Sequence, residues 1–345
     1  MSKFRLAGVF LCLLAASGCS EPGSKPDAVI HSPGYKWHPG HYLNAYWGKY
    51  ISVQIRQAQS SPAFKGISVI HGWWDLEKDK DQYDFSAIDR ELEAVQSAGL
   101  QLIIQVADRS FKDQDCAPAY LRTPAFGGGQ SRVGKKCTVL RHNPAVQDRL
   151  IALYQALGQR YDSHPNFEAV MMEEDSMEKK GTNLDGYSDR AYIDQSKRGM
   201  SALAQAFPHT VVFKWLNWGP GIPELFAHAC SLGIGVGAPD LDPKLKTWAY
   251  PAPWQQYAHK IPLEMSVQDP RVQKTVLNGS DVRAIFDFGT SDPPSGLALN
   301  YIVWDQPEKP GVISFQNDIK PYIVQRDGFI QRACPAVLAS RGGCR

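Results

Sequence analysis

Eight short runs of strand-forming residues lie between residues 41 and 304, and most are followed by a stretch with helical spacing. This alternation constrains the fold more than any other feature of the chain. The runs cover 41–45, 66–74, 100–106, 167–174, 211–215, 234–238, 262–266 and 297–304. After the second run, Ser86 and Asp89 make a capping-box start, Ile88, Leu92 and Val95 recur at helical spacing, and Gly99 supplies a stop. Asn143-Pro144 opens another helix, on which Val146, Leu150, Ile151, Tyr154, Leu157 and Tyr161 share one face. Further helices are predicted over about residues 190–207 and 223–232. Strands that alternate with helices build a parallel sheet, and eight such units close it into a (β/α)8 barrel. An open doubly wound sheet is the competing α/β architecture. It carries a Gly-rich phosphate turn after an early strand, and none is present.

The length agrees with closure. A complete barrel takes roughly 250 residues, so 345 residues give one domain with loop insertions, assigned to 36–345. The composition, 43% hydrophobic and 21% charged, is that of an ordinary globular protein. A net charge of +2 without a dense Lys/Arg run argues against a nucleic-acid partner or a polybasic membrane patch. A monomer is expected.

The first residues read as a targeting segment. Lys3 and Arg5 precede an apolar stretch over 6–16, which has signal-peptide length and is short of the roughly 20 residues a membrane span needs. Ala16-Ser17-Gly18-Cys19 resembles the bacterial lipoprotein box. That resemblance implies a signal peptide over 1–18, lipidation of Cys19, a Pro/Gly/Ser-rich tether over 19–35 and membrane attachment through the lipid. With Ser20 after the cysteine, it implies a place in the bacterial cell envelope, at the outer membrane or in the periplasm. Of the seven cysteines, Cys116 and Cys137 flank a polar loop and Cys334 and Cys344 flank the C-terminal tail. Both pairs are expected as local disulfides of an oxidising compartment, with Cys230 as a buried free thiol.

Two acids stand at the ends of apolar runs, Glu174 after Val170-Met-Met-Glu173 and Glu264 after Ile261-Pro-Leu. Strand C-termini form the active-site face of a (β/α)8 barrel. Two carboxyl groups in one cleft supply the proton donor and the nucleophile or base of glycosidic cleavage. Trp74-Asp-Leu-Glu77 followed by Tyr83-Asp-Phe85, the strand-four run ending in Glu173-Glu174, and Trp304 together resemble the (β/α)8 glycoside hydrolase superfamily with catalytic glutamates on strands four and seven. The resemblance implies a carbohydrate substrate and no metal or organic cofactor. It also implies a retaining mechanism, with Glu174 as proton donor and Glu264 as nucleophile. Glu173 departs from the pattern, standing where most members have Asn, and it is the alternative acid. The rival reading is a non-catalytic carbohydrate-binding surface lipoprotein on a degenerate barrel.

Trp73, Trp74, Trp218 and Trp304 fall at predicted strand ends, where flat rings can stack on sugars. His41, His71, Asn217 and Asp240 are candidate hydroxyl ligands. Gly129-Gln-Ser-Arg-Val-Gly134-Lys135 matches a phosphate-loop spacing, but Lys136 replaces the Ser/Thr that binds magnesium. His38-Pro-Gly-His41 turns too sharply for a helical metal pair, and no serine-hydrolase GxSxG is present.

The lipoprotein box has a direct test. Changing Cys19 to Ala is expected to move the protein from the membrane fraction to the soluble fraction, and a wild-type protein that is already soluble removes the anchor from the reading.

Overall fold

All eight predicted strands form: β1 (Gly40–Asn44), β2 (Phe64–Gly72), β3 (Gln101–Ala107), β4 (Phe167–Met172), β5 (Val211–Trp215), β6 (Gly235–Gly237), β7 (Glu264–Val267) and β8 (Tyr301–Trp304). The computed structural model describes residues 34–175, 177, 184, 186–244, 251–268, 282–305 and 314–345. The signal peptide, Cys19 and nearly all of the tether lie outside these. Neighbouring strands pair in parallel in the order β6-β5-β4-β3-β2-β1-β8-β7. A parallel bridge between Val236 and Leu263, with Val236 N–H donating to the Pro262 carbonyl at 3.1 Å, joins the two ends. The sheet is therefore a closed (β/α)8 barrel, as the alternation predicts.

A helix follows each strand: α1 (Ile51–Gln59), α2 (Ser86–Ser97), α3 (Pro144–Tyr161), α4 (Asp189–Ala206), α5 (Ile222–Leu232), α6 (Ala252–Tyr257), α7 (Val282–Thr290) and α8 (Lys320–Gln325). The start of α3 is built as expected, with the Asn143 side chain accepting from Ala145 N–H at 2.9 Å and Pro144 in the first turn. Gly99 ends α2 with φ +68°, a left-handed conformation that costs glycine nothing. The start of α2 differs from the capping-box expectation. Ser86 is already helical, and Asp84 accepts from its N–H at 3.1 Å instead.

Strand alternation sorts the barrel residues into two cores. Tyr42, Ile103, Met171, Phe213, Tyr301 and Val303 point inward and fill the barrel. Leu43, Ile67, Val170, Val212, Ile302 and Trp304 point outward into the layer beneath the helices. At the N-terminal end the register slips between Leu102 and Ile103, and Glu168 is completely buried. It accepts from His38 N–H at 2.7 Å and from the Tyr301 hydroxyl at 2.6 Å, which closes the floor of the barrel.

After β3 the chain inserts a three-stranded antiparallel sheet of Arg109–Ser110, Lys136–Val139 and Gln130–Val133. The expected Cys116–Cys137 disulfide clips it, and Cys334–Cys344 closes the C-terminal tail. Cys230 is a correction: it is disulfide-bonded, with its partner outside the described residues. Its burial on α5, 2% exposed, suits a half-cystine as well as a thiol, so burial alone could not distinguish them.

Glu264 is a second correction. It opens β7 instead of ending it, so it sits below the strand's C-terminus with no exposed surface. Trp215 Nε1 donates to it at 2.7 Å and Ser266 Oγ at 3.1 Å. Burial pushes its pKa from 4.5 up to about 8. The folded protein thus holds a proton that the unfolded chain releases near pH 4.5, and this stabilisation is lost as pH rises through about 8. Relative to Glu264→Gln, wild-type stability should fall by roughly 1.4 kcal/mol per pH unit within that window and run parallel below it. Denaturant unfolding of both proteins from pH 4 to 9 measures this, and parallel curves throughout contradict the buried proton.

Candidate active site

The C-terminal ends of the strands open into one cleft made of two adjoining cavities of about 490 and 520 Å³. Arg109, Phe111, Glu173, Trp215 and Gln268 line both, which makes them continuous. Strand parity supplies much of the wall. Asn44, Gln105, Gln268 and Asp305 extend the inward-facing rows of β1, β3, β7 and β8 into the cleft. The insertion after β3 adds Arg109 and Phe111.

Glu173 and Glu174 both reach the cleft. They follow Met172, where β4 ends, so strand alternation does not force them to opposite sides. Glu173 continues the inward row of Ala169 and Met171. Burial, then the negative charge of Glu174, raises its pKa to about 7. Glu174 is held differently. Arg109 Nη1 donates to Oε1, and Asn217 Nδ2 donates to Oε2 at 2.6 Å, so both oxygens serve as acceptors. The Arg109 guanidinium also stacks 4.4 Å above the Phe111 ring.

Buried charges behind β4 hold this turn in place. Arg141 forms a two-pronged ion pair with Asp108 and donates to the Glu174 carbonyl. Lys214, 2% exposed and with its pKa pushed down to about 8 by burial, donates to the Glu173 carbonyl. The Tyr192 hydroxyl donates to the Asp175 carbonyl at 2.6 Å. Asp175 in turn accepts from the backbone N–H groups of Asn217, Trp218 and Gly219 at 2.9, 3.0 and 2.9 Å. A Cβ on Gly219 would stand 2.5 Å from Asp175 Oδ2, so this loop closes only around glycine. Asp175 thereby ties the end of β4 to the loop that presents Asn217 and Trp218.

Two further carboxyls face the cleft. Asp240 follows β6, and burial, with added repulsion from Glu174, Asp242 and Asp305, raises its pKa to about 6. Asp305 follows β8 and accepts from Asn44 Nδ2 at 2.6 Å and from the Tyr46 hydroxyl at 2.9 Å.

Of the residues predicted from sequence, the cleft brings together Glu173, Glu174, Asn217, Trp218 and Asp240. Glu264 lies beneath it, under Trp215. Trp73 and Trp304 have no exposed surface and are not sugar platforms: Trp73 donates to Glu77 at 2.8 Å and Trp304 to His41 at 3.0 Å. His41 and His71 also point outward, His41 against Trp304 and His71 onto Glu91 at 2.8 Å. Trp74 is half-buried and packs against Trp47, 5.6 Å between ring centres. Parity explains these misplacements, because Trp304 and His41 occupy outward positions on the paired strands β8 and β1. The residues that sequence reading missed include Asn44, Arg109, Phe111, Trp215, Gln268 and Asp305. Inward parity, carried one or two residues past each strand, could have found Asn44, Trp215, Gln268 and Asp305.

No protein-family model and no curated protein matches the chain in sequence. Solved structures match its fold. GH5_18 from Bifidobacterium longum subsp. longum superposes with a TM-score of 0.52 at 11% identity, covering 87% of this chain and 77% of that one. Endo-glycoceramidase II from Rhodococcus sp. does so at 0.51 and 10% identity, covering 81% and 77%. The catalytic domain of β-amylase from Paenibacillus polymyxa does so at 0.50 and 9% identity, covering 79% and 93%. At such identities the shared property is the architecture, and this chain is similar to these proteins as a (β/α)8 barrel.

Proposed function

We propose that the protein is a glycoside hydrolase that cleaves an O-glycosidic bond of an oligo- or polysaccharide in the C-terminal cleft. The observation that carries this reading is Glu173, a carboxyl that keeps its proton up to about pH 7 in a cleft shared with further carboxylates. Departure of a sugar oxygen needs such a proton donor. Trp218 at 53% exposure and Phe111 at 61% offer flat apolar faces along the same cleft, suited to the C–H faces of pyranose rings. Among the matching structures, the β-amylase and the endo-glycoceramidase carry enzyme names that agree with this reading.

The proposal departs from the sequence expectation in two assignments. The proton donor is Glu173, since both Glu174 oxygens are engaged as acceptors. Glu264 is set aside as nucleophile, because a buried carboxyl protonated up to about pH 8 offers no anion to an anomeric carbon. A non-catalytic carbohydrate-binding protein is the second reading. The observation that favours it is Gln268, an amide at the cleft end of strand seven, where the resembling superfamily carries its nucleophile.

Export and lipid anchoring are part of the proposal and rest on the N-terminal sequence, with the two local disulfides in support. The half-cystine Cys230 sets a condition on the anchor. Cys12 and Cys19 are the cysteines outside the described residues, and a Cys19 whose sulfur carries lipid cannot also pair with Cys230. Mass spectrometry of the mature N-terminal peptide is expected to show diacylglycerol on Cys19. A Cys19–Cys230 peptide replaces the anchor with a secreted, cross-linked terminus.

Activity is tested with purified protein on β-glucan, mannan, xylan and starch, and on 4-nitrophenyl glycosides. Release of reducing ends from at least one polymer is expected, with a rate that falls as pH rises through about 7, where Glu173 loses its proton. Glu173→Gln should lower turnover of natural linkages by about 10²–10⁴ while sparing the 4-nitrophenyl glycosides, whose leaving group needs no proton. Sugar binding without release supports the second reading instead. Equal loss on both substrate types moves the acid role away from Glu173.

A further inference from the structure

Glycosidic hydrolysis takes a second carboxyl, and the cleft walls differ in what they offer. Glu174 shares a strand end with Glu173 and is committed to Arg109 and Asn217. Asp240 is displaced toward its protonated form by burial and its acidic neighbours. Asp305 follows β8, which lies four strands from β4 in either direction around the closed order, so the two residues face each other across the barrel mouth. Both line the cavity of about 490 Å³ between them.

The setting of Asp305 is built. Tyr46 N–H donates to Asn44 Oδ1 at 2.8 Å, which turns the Asn44 amide so that its NH₂ faces the aspartate. Asn44 Nδ2 then donates to Asp305 Oδ1 at 2.6 Å and the Tyr46 hydroxyl to Oδ2 at 2.9 Å. These two donors fix the orientation of the Asp305 carboxyl at the wall of the cavity. These donors also blunt each oxygen as a nucleophile.

We propose that Asp305 is the general base of this site and that hydrolysis inverts the anomeric configuration. The inference rests on the glycosidase reading above. In the step it describes, Glu173 gives its proton to the glycosidic oxygen as the bond from that oxygen to the anomeric carbon breaks. A water on the opposite face forms the new carbon–oxygen bond and gives its proton to Asp305. The products are a hemiacetal of inverted configuration and an alcohol, and exchange with solvent returns both carboxyls to their starting states. Placement on opposite walls suits this route, since inverting enzymes separate their carboxyls by roughly 6.5–9.5 Å to admit a water and retaining ones by only about 5–5.5 Å.

The test begins with wild type and needs no variant. Proton NMR of fresh hydrolysis of the best substrate in the polysaccharide and 4-nitrophenyl panel should show the inverted anomer first. Asp305→Asn should lower turnover by about 10²–10⁴ on natural and 4-nitrophenyl substrates alike, with an unchanged melting temperature. Azide should restore part of the 4-nitrophenyl glycoside reaction and give a glycosyl azide of inverted configuration, a signature that a structural role for Asp305 does not produce. Retention in wild type, or Asp305→Asn turnover within about twofold of wild type, overturns this inference and leaves the glycosidase reading standing. Absence of release from every substrate by wild type overturns both.

Discussion

Closure of the parallel sheet between β6 and β7 is the constraint on which the rest of this structure depends. The seam is thin. Strand β6 spans only Gly235–Gly237, and the join rests on the Val236–Leu263 bridge and a few hydrogen bonds, among them Ser266 N–H to the Ala238 carbonyl at 2.9 Å. Once closed, the sheet has no edge, and every strand residue is either inside or outside. That binary choice decides which side chains can reach the cleft. It also explains the glycines of the seam. A Cβ on Gly237 would stand 2.3 Å from the Glu264 carboxyl and 2.4 Å from the Trp215 ring, so only glycine lets Trp215 and Glu264 meet inside the barrel.

The end of β4 is the most heavily supported part of the site. Arg141 and Lys214 are buried cations whose donors go to the backbone carbonyls of Glu174 and Glu173, and Asp108 balances the Arg141 charge. Charges removed from water are costly unless paired and hydrogen-bonded, and here they hold a turn that presents two adjacent carboxyls. The neighbours then separate in character. Arg109 and Asn217 take both oxygens of Glu174, whereas burial and the nearby negative charge leave Glu173 with its proton. Different environments on adjacent residues thus give two neighbouring carboxyls of one wall different surroundings.

Much of this was legible in the chain. The eight strands fall where strand-forming runs predict them, and the helix starting at Asn143-Pro144 is capped as its sequence implies. Glu173, Glu174, Asn217, Trp218 and Asp240, which the cleft brings together, each stand at or just past the end of a predicted strand. Glu264 was misplaced by a few residues along β7, a small error in sequence that moved a carboxyl from the cleft into the barrel interior. Trp73 and Trp304 were misread because proximity to a strand end says nothing of the side a residue faces. Arg109 and Phe111 were invisible, since they belong to a disulfide-clipped insertion whose path over the cleft no local pattern encodes.

By itself the sequence determined the order and number of βα units, because hydrophobic periodicity and turn residues act over a few neighbours. It also determined that acids and aromatic rings would gather near strand ends. Only the tertiary structure decided which of them share one cavity, because that depends on register around a closed sheet, on the inward or outward side of each position, and on long-range contacts such as Asn44 with Asp305 and Arg109 with Glu174. Protonation was decided there too. Burial and neighbouring charge set the pKa values of Glu173, Asp240 and Glu264, and neither is a property of the chain before it folds.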